Sequence, residues 1–284
     1  MVSSGSVLGD DVCLMHQVTI GMAVPRLEAP TLGNNVYVGV KASVLGGVRV
    51  GDLVREFGVS DMTIRRDLEA LAERGLIAKV HGGATTLDQH STDEPGFAAK
   101  LVRQQAEKEA IARRAAKLVA PGTAIALSAG TTTCMLANLL LDVPGLTVVT
   151  NSVPVADVFY KARRSDQTVV LTGGIRTPSD ALVGPFAVNA IRSLNVDMLF
   201  MGVHGMSTHA GFTTPNLMEA ETDRALVGAA RRLVVVADHT KWELVGISTI
   251  AALHDAHTMI SDSGLSGSAR DALANEVGEL VIAD

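Results

Sequence analysis

The chain has few aromatic side chains, few cysteines and no excess of basic residues. Aromatics make up only 3% of the 284 residues, which argues against the interleaved stacking platforms that bind single-stranded nucleic acid. Lys and Arg number 24 against 30 Asp and Glu, so the protein is not coated in basic surface. An acidic balance still allows a small DNA-binding module beside a larger acidic domain.

Other features that the sequence lacks indicate the cellular compartment and the structural class of the protein. No apolar run approaches the roughly 18 residues that cross a bilayer, and residues 1–10 lack the features of a signal peptide. Cys13 and Cys134 lie far apart, without metal-ligand spacing, so we expect reduced thiols in a cytoplasmic protein with no metal site. The apolar content of 47% is enough for a large aliphatic core, and the length favours two domains.

Residues 1–46 form a leader with a six-residue period. Its aliphatic positions, with Val50 in the same phase, are Leu8, Leu14, Ile20, Leu32, Val38 and Val44. This period is typical of short strands that wind around a triangular solenoid. The segments 16–21 (HQVTIG) and 30–36 (PTLGNNV) resemble the left-handed β-helix of hexapeptide-repeat acyltransferases, particularly serine O-acetyltransferase-like ones.

That resemblance makes His16 a candidate catalytic base. However, only two or three turns fit into the leader, whereas a solenoid needs about three or more repeats to bury its face. We therefore expect the leader to be a remnant or an abnormal fusion without catalytic activity.

Two short amphipathic helices are predicted after Gly47. The first has an apolar stripe of Leu53, Val54 and Phe57, and the second has one of Ile64, Leu68 and Leu71. Gly58 is expected to end the first helix in the left-handed conformation, and Ser60 to cap the second. Two helices joined by so short a turn form a helix-turn-helix.

A β-hairpin wing is predicted after the second helix. The segment 75–84 alternates apolar and polar residues, contains Gly82 and Gly83, and carries Lys79 and His81. The turn, the string TIRRDL at 63–68 and the wing together closely resemble the winged helix-turn-helix of DeoR-family transcriptional repressors. The resemblance implies that residues 47–90 bind a double-stranded DNA operator through Ser60, Thr63, Arg65, Arg66, Lys79 and His81.

One part of the family pattern is missing. The family begins with an additional helix, but here segment 31–45 keeps the six-residue period and contains Gly33 and Gly39. Such a segment is a poor helix former. We therefore expect operator binding to be weaker than in an intact relative.

From Phe97 onward, short apolar strands alternate with helices, which predicts an α/β fold with a largely parallel sheet. A helix is predicted over 100–119. Strands are predicted at 124–127, 146–149, 168–171, 198–201, 233–237 and 257–260. Ligands of such folds bind outside the carboxyl ends of the strands.

Small or polar clusters follow five of these strands. One of them, Gly130 with Thr131, Thr132 and Thr133, opens a helix whose free N–H groups and dipole favour an anion. Lys241 can pair with a phosphate, and Asp238 can accept from a sugar hydroxyl. The remaining candidate effector-binding residues are Asn151, Ser152, Gly173, Gly174 and His204.

Residues 91–284 resemble the DeoR-family sensor domain along their whole length. The matching strings are GTTT at 130–133, VTNS at 149–152, LTGG at 171–174, MGVHG at 201–205, ADHTK at 237–241 and ISD at 260–262. The resemblance implies a fold similar to ribose-5-phosphate isomerase and a phosphorylated sugar or related metabolite as effector. Ser128 replaces a common Asp, and His239-Thr240 replaces a Ser pair.

The sequence thus favours a cytoplasmic, homo-oligomeric repressor with no cofactor and no catalytic residues. One alternative is a sugar-phosphate isomerase, but the loop Gly202–Gly205 lacks the carboxylate base that isomerisation needs. Another is an O-acetyltransferase fragment fused to a sensor domain that does not bind DNA.

Overall fold

The structure is a computed structural model. It describes residues 50–73 and 96–284, together with the backbone of short strands between residues 7 and 49 and between 78 and 85. The side chains of Asp52, Glu73 and Ala99 are not described. The chain divides into two compact units, Met1–Asp88 and Gln89–Asp284. This boundary falls close to the predicted one at residue 90.

The described residues of the leader form six short strands. They are β1 (Val7–Leu8), β2 (Cys13–Leu14), β3 (Thr19–Gly21), β4 (Thr31–Leu32), β5 (Tyr37–Val38) and β6 (Ser43–Leu45). Three parallel pairs form, β1 with β4, β2 with β5 and β3 with β6. Three strands therefore pair in order with the next three, as in two stacked three-sided coils. His16 lies outside the described residues, and the acyltransferase resemblance stays a prediction.

The first unit also contains the predicted helix-turn-helix and wing. Its elements are β7 (Val48–Arg49), α1 (Val50–Phe57), α2 (Asp61–Glu73), β8 (Ala78–Val80) and β9 (Gly83–Thr85). Strands β8 and β9 form the antiparallel hairpin, and β7 pairs with β9. Gly58 has a φ of 64°, and its N–H donates to the Val54 carbonyl at 3.0 Å. The predicted glycine stop of α1 is confirmed.

A small core joins α1 and α2. Its buried members are Val50, Leu53, Ile64 and Leu68, with Val54 packed against them. Phe57, which the apolar stripe was expected to include, is the last residue of α1 and is 43% exposed. The hydrophobic contact between the two helices therefore ends before the turn.

The second unit is an α/β domain. Its helices are α3 (Phe97–Leu101), α4 (Gln105–Ala116), α5 (Thr131–Leu139), α6 (Val153–Ala162), α7 (Pro185–Arg192), α8 (Leu217–Ala229) and α9 (Gly267–Glu276). Its strands are β10 (Ala124–Leu127), β11 (Thr147–Thr150), β12 (Thr168–Leu171), β13 (Ile175–Arg176), β14 (Leu182–Val183), β15 (Met198–Met201), β16 (Gly205–Ser207), β17 (Gly211–Thr214), β18 (Leu233–Val236), β19 (Ser248–Ala251), β20 (Thr258–Asp262) and β21 (Leu280–Ala283). Short 3-10 helices span His239–Lys241 and Leu253–Asp255.

Seven strands form one sheet, in the order β12-β11-β10-β15-β18-β20-β21, and all neighbours are parallel. The predicted α/β fold with a parallel sheet is confirmed. Successive residues face opposite sides of the sheet. On β18, accordingly, Leu233 and Val235 join one apolar cluster, while Val234 and Val236 join the other. Burial on both faces explains why the strands are almost entirely apolar.

The prediction of one helix over 100–119 is wrong. Gln104 adopts the left-handed conformation, with φ 49° and ψ 46°, and separates α3 from α4. A left-handed residue interrupts the helical hydrogen bonds. Ile111 and Ala115 are fully buried, as predicted for the inner face.

The strand order defines where a ligand crevice lies. From β10 the chain continues to β11 and β12 on one side, whereas β15 returns to the other side of β10. Ligands of parallel sheets bind at such a switch point, outside the carboxyl ends of the strands. The loops after β10, β15 and β18 therefore form the candidate sensor site.

Candidate functional site

The N-terminal end of α2 carries the predicted DNA contacts. Ser60 caps the helix, because its hydroxyl accepts the Thr63 N–H at 3.2 Å. The Ser60 and Thr63 hydroxyls also bond each other at 2.8 Å. Both residues are exposed, so this pair remains accessible to a phosphate or a base edge.

The two adjacent arginines of α2 differ in their contacts. Arg65 forms a two-point ion pair with Asp61, in which Nη2 donates to Oδ2 at 3.3 Å. That hydrogen bond and the negative charge raise the pKa of Arg65. Arg66 is exposed and has no hydrogen bond or ion pair within the described part of the chain. Arg66 is therefore the readier of the two to bind DNA.

The wing residues Lys79 and His81 cannot be placed in the same way. The Lys79 side chain and the whole of His81 lie outside the described residues. Their DNA contacts remain predictions.

The switch point of the sensor sheet is closed by Ser128. Its N–H donates to the Phe200 carbonyl at 3.1 Å, and its hydroxyl accepts the Gly202 N–H at 3.1 Å. Ser128 is 1% exposed. This residue thus joins the loops that follow β10 and β15.

The N-terminus of α5 faces the same edge. Gly130 provides no side-chain cap for the first-turn N–H groups. The Thr133 hydroxyl is occupied, since it donates to the Gly130 carbonyl at 3.0 Å. The hydroxyls of Thr131 and Thr132 have no partner among the described residues, although both side chains are nearly buried. These free donors and the helix dipole favour an anion.

Three predicted effector residues serve the scaffold. Asn151 is buried, and its Oδ1 accepts the Ala129 N–H at 2.9 Å. The Ser152 hydroxyl caps α6 by accepting the Val155 N–H. A Cβ on Gly174 would lie 2.5 Å from the Val183 carbonyl oxygen.

Gly173 and Gly174 also lie far along the sheet. They follow the edge strand β12, four strand positions from β18. Strands are about 4.8 Å apart, so these glycines are roughly 19 Å from the loop after β18. One small effector does not span that distance together with Lys241.

Asp238 and Lys241 stand in the turn that follows β18. Asp238 is buried, and its Oδ1 accepts the N–H and the hydroxyl of Thr240. Lys241 belongs to the 3-10 helix that begins at His239. His204, in the loop after β15, is partly buried and its N–H donates to the Thr213 carbonyl at 3.1 Å.

The structure adds Lys108, a residue that the sequence analysis missed. Lys108 lies on α4, is 4% exposed, and donates to the carbonyls of Lys100 and Arg103, the latter at 2.6 Å. Burial lowers its pKa to about 8, Asp238 opposes that change, and Lys241, Arg103 and Lys100 add to it. The sequence signal for it was a lysine placed one helical turn before the apolar residue Ile111, on the same face of the helix.

We define a basic cluster as Lys108 together with Lys100, Arg103 and Lys241, the three cations whose charges act on it; the buried carboxylate of Asp238 acts on Lys108 as well. Like charges close together are unfavourable unless an anion joins them. A lysine has three N–H donors, and two of those on Lys108 are already used. The arrangement is suited to a phosphate group.

The described residues include neither a membrane-spanning helix nor a metal-binding cluster. Among their helices, none has the length and apolar character needed to pass through a membrane. No group of three or more His, Cys, Asp or Glu side chains in this part of the chain is arranged to hold a metal ion.

Two family models match the chain. A DeoR-like helix-turn-helix domain matches residues 44–90, and a DeoR C terminal sensor domain matches residues 103–263. The second match alone covers more than half of the chain.

Similar proteins are named as transcriptional regulators. An uncharacterized HTH-type transcriptional regulator YgbI of Escherichia coli is 36% identical over 84% of this chain and 92% of its own. The transcriptional repressor AccR of Agrobacterium fabrum is 34% identical over 76% of this chain and 83% of its own. The HTH-type transcriptional regulator GolR of Listeria innocua is 36% identical over 77% and 85%, respectively.

Solved structures show a distant similarity. Ribose 5-phosphate isomerase A of Methanocaldococcus jannaschii has 16% identity and a TM-score of 0.35, over 48% of this chain and 53% of that one. The translation initiation factor eIF-2B of Pyrococcus horikoshii has 14% identity and a TM-score of 0.36, over 50% and 49%. This chain spans about half the length of each, and similarity at this level says nothing about function.

Proposed function

The chain belongs to the DeoR family of transcriptional regulators, and on this basis we propose that it is a repressor whose operator affinity is set by a phosphorylated sugar or a related anionic metabolite. The regulator function follows from the two family models, which match in the order DNA-binding domain then sensor domain. The similar proteins are regulators rather than enzymes. The isomerase and acyltransferase alternatives are not favoured.

The DNA-binding role is supported by α2. Its exposed N-terminal half presents the Ser60–Thr63 pair and Arg66, which has no partner among the described residues, and a recognition helix contacts bases and phosphates with this half. Phosphate contacts position a protein on DNA, whereas base contacts specify the sequence. The operator is therefore a duplex whose major groove accepts α2.

The effector is inferred from the basic cluster, which is the single observation that carries this proposal. The charges of Lys100, Arg103 and Lys241 act on Lys108 together with that of Asp238, and the uncapped first turn of α5 lies at the carboxyl edge of the same sheet. Lysines bind phosphate as point charges. Neighbouring hydroxyl and carboxylate groups then contact the sugar.

Lys108 also connects the cluster to the start of the sensor domain. Its ammonium group donates to the carbonyl of Lys100, near the end of α3, and to that of Arg103, in the turn between α3 and α4. The Phe97 N–H donates to the Pro178 carbonyl at 3.1 Å, and the Lys100 ammonium donates to the Ser179 hydroxyl at 2.8 Å. An anion that competes for Lys108 changes how this segment is held. Effector and operator thereby become linked, and each alters the affinity of the other.

We further propose a cytoplasmic homo-oligomer. Helix-turn-helix proteins bind two-fold or repeated half-sites as dimers. Light scattering of the purified chain with and without DNA tests this part of the proposal: a monomer under both conditions would contradict it.

A DNA-binding titration tests the regulation. Duplexes are first selected from a random pool by the full chain, and their affinity is then measured with ribose 5-phosphate, glucose 6-phosphate, fructose 1-phosphate and the unphosphorylated sugars. We expect at least one phosphorylated sugar to change the affinity by about fivefold or more, and the free sugars to have no effect. Lys241→Met should keep DNA binding but lose the response. If none of the phosphates changes DNA binding, the proposed regulation is wrong.

A further inference from the structure

A histidine and a carboxylate from adjacent strands meet beside the basic cluster. Asp262 is the last residue of β20, and His239 follows β18. Asp262 Oδ1 accepts the backbone N–H of His239 at 2.7 Å, and its Oδ2 accepts that of Gly264 at 2.9 Å. The same Oδ2 lies 2.7 Å from His239 Nδ1.

This contact fixes the proton on the imidazole. A carboxylate only accepts hydrogen bonds, and Asp262, with a side chain that is 4% exposed, already accepts two from the backbone. Nδ1 must therefore carry the proton that faces Asp262. In the neutral ring, Nε2 then presents a lone pair.

The ring is also fixed in position. A Cβ at Gly264 would overlap Nδ1 and Cγ of His239 as well as Oδ2 of Asp262, so the backbone of residue 264 lies against the ring. His239 keeps 30% of its side chain exposed. Nε2 has no hydrogen-bond partner among the residues that the structure describes.

His239 Nε2 belongs to the same turn as two residues of the proposed effector site. His239 stands between Asp238 and Lys241 in the same short turn, and both of these charges act on Lys108. The cations are suited to the phosphate group of an effector. A lone-pair nitrogen is unsuited to an ionised phosphate oxygen but accepts readily from a hydroxyl.

We propose that His239 Nε2 accepts a hydrogen bond from a hydroxyl of the sugar or polyol portion of the effector, and that Asp262 is the positioning residue that sets this polarity. The inference rests on the proposed function, since it assumes that the phosphate of the same effector lies at the basic cluster. It makes His239 a determinant of specificity, because a site that hydrogen-bonds a hydroxyl discriminates against ligands without it.

Calorimetric titration of the full chain tests the proposal. The probes are inorganic phosphate, ribose 5-phosphate, glucose 6-phosphate and fructose 1-phosphate. For the sugar phosphate that binds most tightly, His239→Phe should lower the affinity about tenfold. The affinity for inorganic phosphate should change by less than about twofold. His239→Gln, which retains an acceptor oxygen, should recover part of the loss. His254→Phe, at a histidine that is 73% exposed, is the matched control and should change neither.

A second measurement does not depend on how the variants fold. In wild-type protein with ¹⁵N-labelled histidine, the sugar phosphate should shift the His239 Nε2 resonance, whereas inorganic phosphate should not.

The outcomes separate this inference from the proposed function. The role of His239 would be overturned if His239→Phe lowered the affinities for sugar phosphate and inorganic phosphate equally. It would also be overturned if bound sugar phosphate left the Nε2 resonance unshifted. In both cases the anion site would stand. If wild-type protein binds no probe at all, both the anion site and the role of His239 are wrong.

Discussion

At the scale of single residues, Lys108 is the most informative side chain in the sensor domain. Burial lowers its pKa from 10.5 to about 8, so above that pH the group loses its charge in the folded protein. A bound anion favours the charged ammonium. Sulfate, which stays a dianion in this range, should therefore bind more weakly as the pH rises through about 8.

Calorimetric titration with sulfate between pH 6.5 and 9.5 measures this effect. Lys108→Met should reduce the affinity and remove the pH dependence, whereas Lys117→Met, at an exposed lysine that follows the same helix, should do neither. The effect of Lys108 on the stability of the folded protein depends on pH in the opposite direction. Between about pH 8 and 10.5 the unfolded chain binds the extra proton, so this residue makes the protein more stable as the pH rises. A wild-type sulfate affinity that is constant across this range would contradict the assignment.

The two arginines of α2 provide a second prediction at this scale. Arg66→Ala should weaken binding to duplex DNA about tenfold and reduce the slope of affinity against salt by about one. Arg65→Ala should weaken DNA binding less, because the Arg65 guanidinium is already paired with Asp61. Fluorescence anisotropy across a series of salt concentrations measures both variants. The interpretation fails if Arg65→Ala costs as much as Arg66→Ala.

At the scale of elements, the turn between α1 and α2 depends on one backbone conformation. A side chain at Gly58 would meet nothing within 4 Å, but its φ is 64°. Gly58→Ala should therefore destabilise the first unit by about 1 kcal/mol through backbone strain alone. Gly51→Ala, inside α1 and equally open, should stabilise it by about 0.5–1 kcal/mol.

Urea unfolding followed by circular dichroism measures these two changes. Trp242 is the single tryptophan and belongs to the second unit. The unfolding transition seen by tryptophan fluorescence should therefore be the same in both variants. Equal effects of the two substitutions on stability would argue against a left-handed Gly58.

At the scale of the whole molecule, the coupling between effector binding and operator binding can be measured separately at each of the two sites. The operator should weaken or strengthen the binding of the active sugar phosphate by the same factor by which that ligand changes operator affinity. Calorimetry with and without the selected duplex, compared with anisotropy with and without the ligand, tests this equality. Unequal factors would mean that the two sites are not linked through a common equilibrium.

The amount that sequence could predict differs between the two functional surfaces. The helix-turn-helix follows from local signals, since Gly58 and Ser60 act on adjacent residues. The strands of the sensor sheet and their parallel arrangement follow from their apolar character and from the helices between them. Local patterns did not reveal the break at Gln104, because a left-handed glutamine has no distinctive signal. They also did not reveal the basic cluster, because Lys241 lies far along the sequence from Lys100, Arg103 and Lys108.

The sequence by itself determined the family, the order of the two functional units, the parallel sheet and the edge at which we propose that a ligand binds, because periodicity and turn residues act over short distances. Tertiary structure alone decided which side chains share that edge. It buried Lys108 where the charges of Asp238 and Lys241 act on it, set Asp262 against His239, and assigned Asn151, Ser152 and Gly174 to the scaffold. The physical reason is that charge interactions, burial and hydrogen-bond partners depend on distances between strands that only the folded sheet brings together.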